Sequence, residues 1–363
     1  MVEAPTYKDI EAAAARLKGV AARTPLLESA LLNEAAGARV LIKAEMLQKT
    51  GAFKLRGAWN RLSQLSDDEK SRGVLCYSSG NHAQAIAASA MLAGTTATVV
   101  MPSTAPGVKA ARCRAFGATV VLHDGDRPSM VARAMEIAAA EGRVLVPPFD
   151  DPDIIAGQGT VGLEIAQDMA ARDLTPDAVV IPCGGGGLAA GVCLAIHEHF
   201  PDAALYGVEP TGFDDTMRSI KAGVRVTNEP GARTLCDALM VPEPGALTFP
   251  INQRLLTGVV TVTDADVRRA MVAGFDHPKV VAEPGGAAAL AAVLAGKLDL
   301  AGQTVVVVAS GGNVDPALFA DTIAQQTLGR RSHDDEALSY AARGAQSVGQ
   351  YPGLRRCGAV ERQ

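Results

Sequence analysis

At 363 residues the chain can bury one large core or two modest ones, and its net charge of −5, without any basic run or interleaved aromatic patch, gives no reason to expect a nucleic-acid partner. No apolar run is long enough to span a bilayer as a helix. Apolar residues make up 48% of the chain and aromatics only 4%, an alanine- and glycine-rich balance that suits helices lying close on a sheet in an α/β protein. The six cysteines are scattered without a CxxC pair, which argues against a zinc site or a disulfide framework and for reduced thiols. Met1-Val2-Glu3-Ala4-Pro5 lacks the basic-then-apolar pattern of a secretory signal, and the expected compartment is the cytoplasm.

Taken in chain order, residues 7–18 carry the spacing of an amphipathic helix, and Arg23-Thr24-Pro25-Leu26 reads as an extended connection set by its proline. Val40-Leu41-Ile42-Lys43 is a short buried strand. Apolar strands then follow at 74–77, 97–101, 119–122 and 144–146, separated by helical stretches at 81–93, 107–116 and 128–141. That rhythm predicts a run of βαβ units on a parallel sheet. Pro147-Pro148-Phe149-Asp150-Asp151-Pro152 punctuates the chain and reads as a domain boundary. A second rhythm has strands at 178–182, 204–208, 259–262 and 304–309, with helices near 154–170, 186–199, 264–275, 285–295 and 315–326. The expected architecture is α/β, two domains with open twisted, mostly parallel sheets. Residues 1–70 and 150–328 would form the larger domain, 71–149 a smaller inserted one, and 329–363 a polar C-terminal tail too short for a regulatory domain of ordinary size.

The chemistry gathers at strand ends. Lys49-Thr50-Gly51-Ala52-Phe53-Lys54-Leu55-Arg56-Gly57-Ala58 sets Lys54 at the first turn of a helix, near unpaired backbone N–H groups. Positive potential and partial desolvation both lower a lysine's pKa, and a neutral amine condenses with an aldehyde. Alone, the same lysine is an ordinary solvated one. Three glycine-rich turns each follow a strand and open a helix: Ser78-Ser79-Gly80-Asn81-His82, Cys183-Gly184-Gly185-Gly186-Gly187 and Ser310-Gly311-Gly312-Asn313. Four consecutive glycines at a helix start are more than a tight turn requires, and their bare N–H groups suit a single phosphate. The spacing is neither that of a P-loop nor of GxGxxG.

In their order and placement these motifs resemble the fold-type II, tryptophan synthase beta-like, pyridoxal-phosphate enzymes, in particular the threonine/serine dehydratase and serine racemase group. The likeness runs from about Thr24 to Ala324. It implies that Lys54 carries pyridoxal 5'-phosphate on its amine and then acts as base on the substrate Cα. Phe53 would lie under the cofactor ring, Asn81 would bond the ring hydroxyl, Gly184, Gly185, Gly186 and Gly187 would bind the phosphate with Leu188 closing the turn, and Ser310 would face the ring nitrogen. A hydroxyl there makes a weaker electron sink than a carboxylate and suits quick loss of a β-leaving group. Ser78, Ser79, Asn81 and His82 would meet the substrate, its carboxylate lying at a helix N-terminus. His82 reads equally as a helix-capping residue. Ser79 would be a second proton donor on the ring face opposite Lys54, which permits racemisation, or else a cap of the next helix.

The likeness also implies a divalent-cation site from Glu209, the Phe213 carbonyl and Asp215, hard oxygen donors fit for Mg²⁺ or Ca²⁺, although Asp214 or Asp215 also reads as a helix cap. The chain departs from the family at Ala52, where serine is usual, at Ala238, where glycine is usual, and within Glu283-Pro284-Gly285-Gly286. The expected activity is that of an ammonia-lyase turning L-threonine, L-serine or a related β-hydroxy amino acid into a 2-oxo acid and ammonia. The alternatives are a serine or aspartate racemase or a 3-hydroxyaspartate dehydratase, with a small amino acid as ligand, no nucleic acid or membrane partner, and a homodimer as the assembly that the resemblance implies.

Overall fold

The computed structural model describes residues 3–325. Contacts group the chain into one compact unit, Met1–Asp315, and a second from Pro316 onward, of which residues 316–325 are helical. The polar tail expected after Gly329 lies outside the described residues.

The first unit holds ten strands: β1 (Leu26–Glu28), β2 (Arg39–Ala44), β3 (Val74–Tyr77), β4 (Ala97–Pro102), β5 (Thr119–His123), β6 (Val144–Leu145), β7 (Ala178–Pro182), β8 (Ala204–Pro210), β9 (Gly258–Val262) and β10 (Thr304–Ala309). They form a six-stranded sheet in the order β1-β2-β10-β7-β8-β9 and a four-stranded sheet in the order β5-β4-β3-β6. All pairs are parallel except β1 with β2. Parallel strands covered on both faces read as continuous apolar runs, and Val305-Val306-Val307-Val308, fully buried between β2 and β7, is such a run. In the smaller sheet the period of two sorts side chains to opposite faces. Val74, Cys76, Val99 and Met101 pack with Ala83, Ile86 and Ala90, while Leu75 and Val100 pack with Met130, Ala134 and Ile137. Among the described residues no helix is long and apolar enough to cross a membrane.

Every strand expected from the sequence is present. Arg23–Leu26, read as a connection, instead leads into the antiparallel edge strand β1, which pairs Leu26 with Lys43. Three short helices were not foreseen, Ala30–Ala36, Asp67–Arg72 and Thr248–Leu255, while the helix Asp215–Ala222 follows the capping reading of Asp214 or Asp215. Asp67–Arg72 buries no side chain, so it has no apolar period to betray it; a Ser66–Glu69 capping box fixes it instead. Helices also begin earlier than their apolar spacing suggests, at Pro152 and Arg127, because Asp151 and Asp126 accept hydrogen bonds from the first-turn N–H groups.

Three helices cross behind the loop ends with almost no side chain between them: Lys54–Leu62, Pro152–Ala170 and Gly187–His199. A Cβ at Gly157 would stand 2.6 Å from Cα of Gly57, and one at Gly191 2.7 Å from Cα of Gly159. Two residues after Lys54, Arg56 is buried and donates to both oxygens of buried Glu45 and of Glu164, while buried Lys43 bonds Glu164 at 2.6 Å. Two cations and two carboxylates are thus mutually satisfied in the interior. Removing one strands the others, so Arg56→Leu is expected to cost about 3–5 kcal/mol of stability, read from denaturant unfolding monitored by circular dichroism.

Candidate active site

In open parallel sheets, ligands bind beyond the carboxyl ends of strands. Here the loops after β2, β3, β7 and β10 converge on one cavity of about 240 Å³. Its wall includes Phe53, Lys54, Ser78, Ser79, Asn81, His82, Gly184 to Gly187, Leu188 and Ser310, so the sequence-selected residues after these four strands come together.

Lys54 is the first residue of its helix, and its Nζ donates to the Pro148 carbonyl at 2.5 Å and lies 5.0 Å from the Phe53 ring centroid. Desolvation pulls its pKa down to about 7, so near neutrality much of the amine is uncharged and nucleophilic. The loop before it is stitched to the loop after β10: Phe53 N–H donates to the Ser310 carbonyl at 3.1 Å, Gly312 N–H to Gly51 at 2.9 Å, and the Asn313 amide to Thr50 at 2.8 Å. Lys54 and Ser310 are therefore fixed as a pair.

The glycine run forms the opposite wall. Gly186 has φ +87°, a conformation that favours glycine, and a Cβ at Gly185 would sit 2.4 Å from the Phe149 ring. Outer side chains occupy the carbonyls of this turn, Thr248 Oγ1 donating to Gly185 at 2.6 Å and Asn252 Nδ2 to Gly186 at 3.2 Å. Among the described residues no backbone acceptor takes the N–H groups of Gly184 to Gly187, which stand free at the start of the helix Gly187–His199. Free donors at a positive helix end make an anion cradle.

On the third side, Gly80 and not Ser79 is the cap residue of the helix Asn81–Ala93, and no side chain caps it. Ser78 Oγ accepts from Gly80 N–H at 3.2 Å, while the hydroxyl of Ser79 is left to the cavity. Asn81 donates to Glu283 and accepts from Asn313 at 2.8 Å, which fixes its amide orientation and leaves one N–H to offer. His82 is buried, and its Nε2 lies 3.0 Å from the Val146 carbonyl. A carbonyl only accepts, so Nε2 carries the proton and Nδ1 is an acceptor. Burial, with help from Lys54, lowers the ring's pKa to about 3, so it is neutral. A carboxylate at this helix start is accordingly met by backbone N–H groups and hydroxyls, not by an imidazolium.

Some wall residues had no signal in the sequence. Pro148 and Phe149 belong to the stretch read as a domain boundary, yet one holds Lys54 and the other covers the cradle. Glu283, pushed up to about 7 by burial and by Asp237, anchors Asn81 from the start of the helix Pro284–Leu294. Lys109 bonds Asp237 at 2.6 Å across the cavity mouth. Only Asp237 and Glu283 were noted beforehand, as neighbours of sequence departures.

The residues expected to bind a cation lie behind the cradle. Glu209 and Asp215 are fully buried and Phe213 nearly so. Asp214 holds the N-cap position of the short helix there without a side-chain cap bond, and Glu209 accepts from the N–H groups of Thr216 and Met217 at 2.8 and 2.9 Å in its place. Asp215 Oδ2 is buried without a hydrogen-bond partner, and burial pushes the two carboxyls up to about 8 and about 7. An orphaned hard oxygen beside a second carboxylate fits a divalent cation. Among the described residues no cluster of three His, Cys, Asp or Glu side chains is placed to hold a metal, so the Phe213 carbonyl would have to complete such a set.

A nucleophilic amine, an anion cradle and a ring-sized cavity between them fit pyridoxal phosphate. Comparison with known proteins agrees. Residues 17–311 match the family described as pyridoxal-phosphate dependent enzyme. The chain is 42% identical over 310 residues to an L-threonine ammonia-lyase of Thermotoga maritima, covering 85% of this chain and 76% of that one. It is 39% identical over 320 residues to an L-threo-3-hydroxyaspartate ammonia-lyase of Saccharomyces cerevisiae, covering 88% and 96%. Among solved structures, maize serine racemase superposes with a TM-score of 0.83 at 33% identity, covering 91% of this chain and all of that one. The tightness of the cradle yields a test. Gly185→Ala, whose methyl meets the Phe149 ring, is expected to weaken pyridoxal-phosphate binding by about tenfold or more, measured by titrating the apoprotein and following the cofactor's absorbance.

Proposed function

The chain belongs to the pyridoxal-phosphate dependent enzymes, and on that premise we propose that it is an ammonia-lyase converting L-threonine, L-serine or a related β-hydroxy amino acid such as 3-hydroxyaspartate to a 2-oxo acid and ammonia. The observation that carries this reading is the desolvated Lys54 amine sharing one cavity with the free N–H groups of Gly184–Gly187. When bound, the cofactor draws electrons from the substrate Cα. The chain's residues do the rest. The Gly184–Gly187 turn would hold the phosphate, Phe53 and Ser310 would bound the ring, and Asn81 would offer its remaining N–H to the ring hydroxyl. Ser78, Ser79 and the start of the helix Asn81–Ala93 hold the substrate carboxylate. Lys54 removes the Cα proton, hydroxide leaves Cβ, and the released enamine hydrolyses. Glu209, Asp215 and the Phe213 carbonyl would hold Mg²⁺ or Ca²⁺ in a structural role, bracing the turn behind the cradle.

A second reading, racemisation, is favoured by the free position of Ser79. A proton donor facing Lys54 across the substrate can return the Cα proton from the other side. Ser79→Ala is expected to slow interconversion of the serine enantiomers far more than elimination, as chiral analysis beside an oxo-acid assay would read. Equal losses would remove this role.

The main test is spectroscopic and chemical. Purified protein should show a cofactor band near the visible edge that Lys54→Ala abolishes together with oxo-acid release. The absence of a band after cofactor is supplied would overturn the reading. Because the Lys54 pKa is lowered to about 7, its amine loses its proton as pH rises through that value. Cofactor capture by the apoprotein should therefore speed up from pH 6 to about 7 and level off above it, instead of rising towards the usual lysine range. Stopped-flow absorbance across that range checks the sign.

A further inference from the structure

His82 stands at the start of the helix Asn81–Ala93 and on the cavity wall, yet its ring is engaged elsewhere. Nε2 donates to the Val146 carbonyl at 3.0 Å, and Nδ1 is buried without a hydrogen-bond partner. Among the described residues that single bond is the ring's whole polar engagement, and it falls where the smaller sheet runs out. β6 pairs with β3 for two residues, Val74 with Val144 and Leu75 with Leu145, and the Val146 N–H then donates to the Leu75 carbonyl at 2.9 Å. Pro147 and Pro148 have no N–H to carry the ladder on. The imidazole therefore holds the strand exit at the point where backbone pairing ceases.

The residues after this exit touch the reactive groups. Two positions on, the Pro148 carbonyl accepts from the Lys54 amine at 2.5 Å, and a Cβ at Gly185 of the cradle would meet the Phe149 ring. Asp150 then accepts from the N–H groups of Ala246 and Leu247 at 2.9 and 2.8 Å, and Asp151 caps the helix Pro152–Ala170. One end of the segment is clamped by Asp150 and Asp151, the other by His82. Two prolines in succession present carbonyls and no donors, so the amine meets an acceptor with no competing N–H beside it. A lysine side chain is rich in rotamers, and whenever Lys54 is not bonded to the cofactor its amine needs a partner to stay in place. We propose that His82 is a positioning residue for Lys54: its Nε2–H fixes the Val146–Pro148 exit so that the Pro148 carbonyl holds the amine ready in the cavity. The inference rests on the cofactor-carrying role given to Lys54 above and is indifferent to which β-hydroxy amino acid is used. The His82 side chain thereby serves the reaction without touching substrate.

The experiment compares the wild-type apoprotein with His82→Asn, His82→Gln and His82→Leu. A glutamine amide reaches about as far as Nε2 and can donate to Val146, an asparagine amide reaches only as far as Nδ1, and leucine donates nothing. Pyridoxal, which lacks the phosphate, probes the amine by stopped-flow absorbance, with Lys54→Ala as the blank. Inorganic phosphate, titrated by calorimetry, probes the cradle. Capture of pyridoxal is expected to slow by about tenfold in His82→Asn and His82→Leu, the size of one lost net hydrogen bond, and to return to within about threefold of the wild type in His82→Gln. Phosphate affinity should be unchanged in all three. With cofactor loaded, kcat for oxo-acid release should fall in His82→Asn while KM holds. The proposal is overturned if His82→Asn captures pyridoxal as fast as the wild type, if His82→Gln is as slow as His82→Asn, or if phosphate affinity falls in step with capture, which would make His82 a general brace of the fold. Should His82→Leu not fold, the Asn and Gln variants decide alone. If Lys54→Ala captures pyridoxal as well as the wild type does, the reading of Lys54 itself fails, a result that no His82 variant can imitate.

Discussion

The constraint on which the rest depends is the near-contact of three helix backbones at Gly57, Gly157, Gly159 and Gly191. One helix begins with Lys54 and another with the end of the phosphate cradle, and the third, Pro152–Ala170, lies between them. Helices separated by side chains pack at 8–10 Å; glycine at the crossing lets them approach more closely. The distance from amine to cradle is thereby set by main-chain atoms, which do not hop between rotamers. A cofactor held by the Lys54 amine at one end and by the anion cradle at the other would need a span of fixed length, which this crossing would supply.

Electrostatics follow from that rigidity. Arg56, Lys43, Glu45 and Glu164 form a closed charge cluster on the buried side of the Lys54 helix, while on the cavity side Lys54 itself faces a carbonyl and an aromatic ring. Lys43 and Lys54 meet opposite surroundings. Lys43 keeps carboxylates near, and Lys54 has none within bonding distance among the described residues, so desolvation acts on it unopposed. The reactive lysine is made reactive by what was left out around it.

Much of this was legible in the chain. Parallel strands announce themselves because burial on both faces demands unbroken runs such as Val305–Val308, and a four-glycine turn after a strand leaves little room for another reading. Ser79 was ambiguous because a hydroxyl before a helix suits a cap as well as a cavity wall; only the backbone shows that Gly80 takes the cap position. Pro148 and Phe149 were not legible as wall residues of the cavity. Their place depends on which residues distant in sequence lie opposite them, and a proline-rich punctuation looks the same wherever the chain carries it. The edge strand β1 escaped for a related reason. Three residues hold too short a pattern, and their pairing is decided by β2.

The position of β10 has a consequence for how the molecule comes into being. It is the last strand of its unit, yet it lies in the middle of the six-stranded sheet, pairing with β2 on one side and β7 on the other. Until it is in place, β2 and β7 are two open edges with no partner between them, and the Thr50 loop lacks the Asn313 amide that lies 263 residues away in sequence. Pairing over such separations is slow, and unpaired edges invite association with other chains. A ribosome-bound chain would thus carry every residue of the cradle while having no site at all, and binding of cofactor would report completion of the central sheet.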